Sequence, residues 1–308
     1  MTVIRTVAPD RGSRGSFTYA GFANLMRQFL LTLQCPDKIG LVYAVAEYLL
    51  NHRCNITDNR QFGDPLSGRF FMRIHFESTE SSTNLEILRS GFRQIATEHD
   101  MQWRIDDPAT KTRTLIMVSR HGHCLTDLLY RVSTGSLKIE VPVIVSNHTD
   151  MARLADWYGI RYEHIPTSKA SKRHSEDRLL ELIEEHSIEL VVLARYMQIL
   201  SDEVCRRLEG KAINIHHSFL PGFKGARPYQ QAFDRGVKLI GATAHYITPE
   251  LDEGPIIEQA VVRVDHTLGA QELATVGEDV ESMTLAKAVR WHAEHRVHLN
   301  GGRTVVFR

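Results

Sequence analysis

The sequence predicts an α/β protein of two units in tandem: a small ferredoxin-like unit of split β-α-β form, then a larger layered unit with a mostly parallel sheet. Three observations carry this. The chain has 308 residues, more than one hydrophobic core usually accommodates. Its first third alternates between strand and helix periodicity in the order strand, helix, strand, strand, helix, strand. Beyond that, short continuous apolar runs alternate with helical stretches, which is how buried parallel strands read.

Residues 1–27 carry Arg5, Arg11, Arg14 and Arg27, scattered Gly and Ser, a single acid at Asp10, and no continuous apolar segment. They read as a flexible leader, with an organellar transit peptide as the alternative. Residues 28–107 form the first unit. Here 29–33 is a strand, 36–40 a turn and 41–51 a helix with apolar spacing. Residues 54–62 and 69–76 form a hairpin around the turn at 64–68, followed by a helix at 85–99 and a strand at 101–105. Residues 108–112 are the linker to the second unit, 113–308.

In the second unit, 115–119, 141–145 and 190–194 read as buried strands, with helices at 124–134, 151–158 and 176–186 between them. This is a Rossmann-like arrangement, whose ligands sit beyond the C-terminal strand ends. Residues 212–216 alternate apolar and polar, so Asn214 and His216, two apart, project to the same side of a strand. The chain then breaks at 218–222. A further strand at 239–247 leads into a turn-rich acidic loop at 248–255 that carries Asp252. An amide donor, an imidazole and a carboxylate are what cleavage or transfer of an acyl group needs: oxyanion stabilisation, proton movement and orientation of a nucleophile. An Asn-x-His pair alone is more often structural than catalytic. Residues 285–297 read as a long charged helix, and 303–307 as a closing strand after a Gly-Gly turn. His292, His295 and His298 recur every third residue, which we read as ordinary surface histidines; no Cys or carboxylate completes a metal set around them.

Lys plus Arg and Asp plus Glu both total 37, so nothing suggests a broad electrostatic hold on nucleic acid or a membrane surface. No apolar run approaches the roughly 18 residues that span a bilayer. Cys35, Cys54, Cys124 and Cys205 are dispersed, without Cys-x-x-Cys spacing, and read as core thiols of a reducing compartment. The cytoplasm is the expected location.

The block 213–221, Ile-Asn-Ile-His-His-Ser-Phe-Leu-Pro, with Lys224-Gly225-Ala226-Arg227-Pro228-Tyr229 and Leu251-Asp252-Glu253-Gly254, closely resembles the formyltetrahydrofolate-dependent hydrolase and transferase family. The resemblance runs from about Phe29 to the end of the chain. It implies that Asn214, His216 and Asp252 are the catalytic triplet around the N10-formyl group, and that Arg195, Met197, Gln198, Leu200, His245, Ile247 and Thr248 bind the folate substrate. No tightly bound cofactor or metal is implied. The first unit resembles an ACT domain, which implies a small amino-acid effector, glycine or methionine, near Asp37, Lys38, Ile39, Gly40 and Leu41. Free N–H groups at a helix start suit a carboxylate, although Gly40 serves equally well as a plain turn. Association into a homo-oligomer through the same unit is the further expectation.

Two features separate hydrolysis from transfer. Glycinamide ribonucleotide formyltransferases hold their substrate's phosphate on a Gly-x-Gly-Ser-Asn loop, whereas the corresponding loop here has His121 and His123 flanking a single Gly122. His217 stands where the transferase pattern has proline and the deformylase pattern has histidine. The resemblance therefore implies hydrolysis of 10-formyltetrahydrofolate to formate and tetrahydrofolate, which balances one-carbon folate pools and supplies formate for purine synthesis. Formyl transfer to glycinamide ribonucleotide, and a non-catalytic folate or amino-acid sensor, are the alternatives. Methionyl-tRNA formyltransferase, another relative, usually appends a basic RNA-binding domain, for which the segment before Arg308 leaves no room.

Overall fold

The apolar run at Phe29–Leu33 is buried along its whole length because its strand is covered on both faces, and this places the first sheet between two layers. The computed structural model describes residues 26–308 apart from 79, 81–82, 169 and 223–227, so the leader to residue 25 and Lys224 to Arg227 lie outside the described residues. Strands β1 (Arg27–Pro36), β2 (Cys54–Asp64), β3 (Arg69–Ser78) and β4 (Gln102–Asp106) form an antiparallel sheet in the order β2-β3-β1-β4. Helices α1 (Leu41–Asn51) and α2 (Leu85–Glu98) join its strands. Val45, Leu49, Leu88 and Phe92 share a core with Leu31, Leu33, Ile74 and Phe76. Gly40 caps α1 at φ 95°, a left-handed conformation that costs glycine little. Asn84 caps α2, its side chain accepting from Ile87 N at 3.0 Å.

The second sheet has seven strands in the order β11-β10-β9-β8-β5-β6-β7. The strands β5 (Thr112–Val118), β6 (Ile139–Ser146), β7 (Arg161–His164), β8 (Leu190–Leu193) and β9 (Ala212–His216) are parallel. β10 (Leu239–Tyr246) and β11 (Ile256–Arg263) add an antiparallel edge. Helices α3 (His123–Ser133), α4 (Ala152–Trp157), α5 (Lys172–Glu185), α6 (Asp202–Arg207), α7 (Pro228–Asp234) and α8 (Ala270–Ala293) complete the layers. The chain runs outward from β5 through β6 to β7 and then returns to β8 on the other side of β5. The order of strands reverses there, and the crevice beyond the C-terminal ends of β5 and β8 is where this class of sheet holds ligands.

One sequence expectation is corrected. The helix expected over 285–297 begins at Ala270 and ends at Ala293, and Val297 opens a strand, β12 (Val297–Asn300), paired with β13 (Arg303–Val306). The helix stops because the Glu294 carbonyl is taken by the buried Arg73 guanidinium of β3, at 3.2 and 3.0 Å, and His295 turns at φ 51°. Asn300 then donates to Asp64 at the end of β2, at 2.6 Å. His292, His295 and His298 consequently lie at the junction of the two sheets, not on a free surface. His292 Nδ1 hydrogen-bonds the Tyr246 hydroxyl at 2.7 Å, and His298 stacks edge-on with Phe71 at 5.8 Å. Burial pushes the three imidazoles down to about 3, about 4 and about 4. All four cysteines are free thiols, three of them buried. No helix among the described residues is long and apolar enough to cross a membrane.

Candidate active site

The antiparallel register of β9 and β10 puts Asn214 opposite His245 and His216 opposite Thr243. Period two therefore delivers Asn214 and His216 to the same side, as their spacing predicts, while the adjoining strand supplies a second imidazole. His245 Nδ1–H donates to the Tyr246 carbonyl at 2.8 Å, so Nε2 is the acceptor that the Asn214 amide reaches at 3.3 Å. Burial holds His245 below the usual imidazole range, consistent with this neutral form. The second Asn214 N–H is left over for another acceptor.

Asp252 reaches the pair from the loop between β10 and β11. That loop folds back hard on β10: Tyr246 N donates to Pro255 O at 3.0 Å, and a Cβ on Gly254 would stand 1.7 Å from the Tyr246 carbonyl oxygen. Only glycine permits that approach. Asp252 itself sits at φ 59°, a conformation uncommon outside glycine and found where structure enforces it. Its Oδ2 lies 3.2 Å from His216 Nδ1, and its Oδ1 lies 3.8 Å from His245 Nε2. Burial raises the Asp252 carboxyl, but the His216 hydrogen bond and the neighbouring imidazoles outweigh it and hold the group below the usual carboxylate range. Asp252 is thus ionised and accepts from His216 Nδ1–H, which leaves His216 Nε2 buried and without a partner in the protein.

A cavity of about 580 Å³ opens onto these groups. Arg195, Met197, Gln198, Leu200, His245, Ile247 and Thr248, all seven positions expected to meet substrate, line it together with Asn214, His216 and Asp252. Residues 194–200 are a loop leaving the C-terminal end of β8, and Arg195 turns there at φ 62°. Met197 is 55% exposed in the cavity mouth, whereas Leu200 is 9% exposed, so one presents a free apolar face and the other braces the wall. Ser119, at the end of β5, pins this loop. Its hydroxyl accepts from Met197 N at 3.0 Å and donates to Asn147 at 2.7 Å, and its N–H reaches Arg195 O at 3.3 Å. The five residues of the expected effector position stay apart from this cavity: Leu41 is buried in the core of the first sheet, while Ile39 projects fully into solvent.

Sequence reasoning missed Glu281, Tyr229 and Thr243. Glu281 is fully buried in α8. It accepts from His123 Nε2 at 2.7 Å and from the Tyr229 hydroxyl at 2.5 Å, with Arg195 Nε at 3.4 Å. Burial raises its carboxyl, yet the His123 hydrogen bond, the Arg195 charge and the Tyr229 hydroxyl outweigh that and keep it ionised. A signal existed: Glu281 lies four residues after Gly277 and four before Leu285, on the buried stripe of the helix, where a lone charge needs a partner. His123, Cys124 and Glu281 are also the group of metal-type donors that converges among the described residues. The Arg195 guanidinium already neutralises the carboxylate there, and burial pushes the Cys124 thiol up, away from the thiolate a metal needs. Thr243 fastens the loop after β9, donating to Ser218 O at 2.9 Å and accepting from Leu220 N at 3.1 Å.

Comparison with known proteins agrees with this geometry. Residues 112–289 match the formyl transferase family model. The chain is 54% identical to formyltetrahydrofolate deformylase of Corynebacterium sp. (strain P-1), over 91% of this chain and 98% of that protein. The crystal structure of formyltetrahydrofolate deformylase from Burkholderia mallei superposes with a TM-score of 0.88 at 52% identity, covering 92% of this chain and all of that one. Glycinamide ribonucleotide transformylase 1 from Symbiobacterium toebii is more distant, with a TM-score of 0.60 and 28% identity over 65% of this chain and 95% of that one. Kinship with the hydrolases thus spans both sheets, kinship with the transferase far less of the chain, and on that evidence the chain belongs to the formyltetrahydrofolate deformylase family.

Proposed function

We propose that this enzyme hydrolyses 10-formyltetrahydrofolate to formate and tetrahydrofolate, and that Asn214, His216 and Asp252 carry the reaction. The supporting observation is their convergence on one cavity, with Asp252 ionised against His216 Nδ1–H and His216 Nε2 left without a partner in the protein. Water bound at Nε2 gives up a proton to it as the water oxygen bonds to the formyl carbon. The carbonyl oxygen becomes an oxyanion, which accepts the free Asn214 N–H. Asp252 stabilises the imidazolium meanwhile. The proton then passes from Nε2 to N10 as the carbon–nitrogen bond breaks, so the amine leaves neutral, and the formic acid formed gives its remaining proton to solvent to become formate.

Met197 and Leu200 on one side and Ile247 with Thr248 on the other fit the flat pterin ring, and Gln198 fits its polar edge. No step calls for a cofactor. Residues 28–107 act as the ACT-like regulatory unit, 108–112 as a linker and 113–308 as the catalytic unit, in a cytoplasmic homo-oligomer. The open first turn of α1 behind Gly40 supports a carboxylate effector, glycine or methionine, at Asp37 to Leu41.

The test follows the formyl group from 10-formyltetrahydrofolate with wild type and Asp252→Asn, with and without glycinamide ribonucleotide. Formate released without the nucleotide and lost in the variant supports the reading. Formyl transfer that requires the nucleotide makes the protein a transferase, and binding without turnover makes it a sensor.

A further inference from the structure

Arg195, His217 and Tyr229 line the catalytic cavity together, and behind them Arg195, Tyr229 and His123 meet the buried Glu281 carboxylate. Glu281 is 0% exposed and the Arg195 side chain 11%. Tyr229 lies so tightly on α8 that a Cβ on Gly277 would meet its hydroxyl oxygen at 2.1 Å. The fourth member comes from the loop after β5: His123, the first residue of α3, turns its imidazole onto Glu281 at 2.7 Å. A Cβ on Gly122 would meet Met151 Sδ at 2.4 Å, so that loop is closed down as well. Burial, with the Arg195 charge next, holds His217 at about 4, so the imidazole beside the guanidinium is neutral.

Such a cluster is expensive. Four polar groups from four separate segments have been desolvated to make it, and Arg195 adopts φ 62° to join. It is not needed to hold the catalytic triplet, none of whose hydrogen bonds involves it. What it does is set Arg195 in the cavity wall beside His217 and present a fixed cation there.

We propose that the Arg195–Glu281–His123–Tyr229 cluster is the specificity determinant of this enzyme: it closes the acceptor side of the formyl site to amines, so that water alone attacks. The inference rests on the deformylase reading and deepens it. In hydrolysis a water oxygen bonds to the formyl carbon, the carbon–N10 bond breaks, and the proton lost by water goes to N10. Transfer differs in one respect, that an amine nitrogen forms the new bond and loses the proton. The chemistry of the triplet is the same for both, so the choice falls to what fits beside it. A primary amine needs room for its substituent and an acceptor for its N–H groups. Here Arg195 stands in the cavity wall, the Glu281 carboxylate behind it is already engaged three times, and the guanidinium repels an ammonium.

The experiment uses Arg195→Gly in the full-length protein. Glycine is at ease at φ 62°, and its introduction removes the cation while freeing one side of Glu281 toward the cavity. 10-Formyltetrahydrofolate is supplied with glycinamide as the probe amine, and both N-formylglycinamide and formate are quantified against a protein-free control. The expected result is a ratio of formylated amine to formate at least tenfold above that of wild type, whatever happens to the total rate. His123→Asn, which shortens the side chain but keeps a donor for Glu281, shifts the ratio in the same direction and serves if Arg195→Gly does not fold. An unchanged ratio in a folded variant overturns the proposal while leaving the deformylase reading intact. Absence of formate from wild type overturns both, and formylated glycinamide from wild type at the variants' ratio overturns the proposal alone.

Discussion

Asp252 is the residue on which the site's charge balance turns. Replacing it by Asn keeps the shape but removes the anion that His216 Nδ1–H faces at 3.2 Å. Loss of one such group costs about 10² to 10³ in kcat, so Asp252→Asn and Asn214→Ala should each fall by that order with the thermal midpoint little changed. Steady-state kinetics beside a melting curve checks this, and a variant within a few-fold of wild type would remove the residue from the mechanism. Glu281 behaves in the opposite manner. Glu281→Ala strands Arg195 and His123 in a buried wall, and breaking a buried pair on one side costs about 3 to 5 kcal/mol. Urea unfolding should show that loss, whereas a change under about 1 kcal/mol would mean the cluster is solvated in solution.

The element that most depends on a single residue is the loop from Ile247 to Pro255. Its Asp252 is delivered only because Gly254 lets the chain press onto the Tyr246 carbonyl, with 1.7 Å between that oxygen and where a Cβ would stand. Gly254→Ala must displace the loop, and a misplacement of about 1 Å costs on the order of 10² in rate. The expected outcome is a kcat reduced by that factor with a melting curve little changed, since only Ile247 of this loop belongs to a hydrophobic core. Retained activity would show that Asp252 adapts to the shift. In α8, by contrast, the sequence pattern was legible but its end was not. The expectation of a helix through 297 came from charged and apolar spacing. The actual stop, at Ala293, comes from Arg73, which lies 221 residues from Glu294 in the chain and takes its carbonyl.

Across the whole molecule, the junction between the two sheets makes stability depend on pH. His292, His295 and His298 are held neutral by burial, at about 3, about 4 and about 4, beside Tyr246, Arg73, Arg104 and Asp106. Their folded values lie below the unfolded value of about 6.5, so the unfolded chain binds the more protons. Their contribution is therefore complete above about pH 6.5 and is lost as pH falls toward their folded values. For an imidazole at about 4, the loss between pH 7 and pH 5 is about 2 kcal/mol. Urea midpoints across that window should fall, and should fall less in His298→Gln. A flat profile would show the junction open to water. The same junction joins the first sheet to the rest of the chain through Arg73 on the Glu294 carbonyl and Asn300 on Asp64.

Much of this was readable from residues alone, because it rests on local periodicity. Alternation at 212–216 placed Asn214 and His216 on one face, the turn-rich stretch after β10 placed Asp252 on a loop, and continuous apolar runs marked β5, β6 and β8 as buried strands. These depend on backbone geometry that neighbours in sequence already determine. The pairing of His245 with Asn214, the cluster around Glu281 and the partial covering of the three junction histidines were decided only by tertiary structure. His123 and Glu281 are 158 residues apart, and Tyr229 and Glu281 are 52 apart. Whether a histidine or glutamate is a solvated surface group or a neutral or paired buried one is a property of what packs over it. No local pattern encodes that covering, because it is supplied by other elements arriving from elsewhere in the chain.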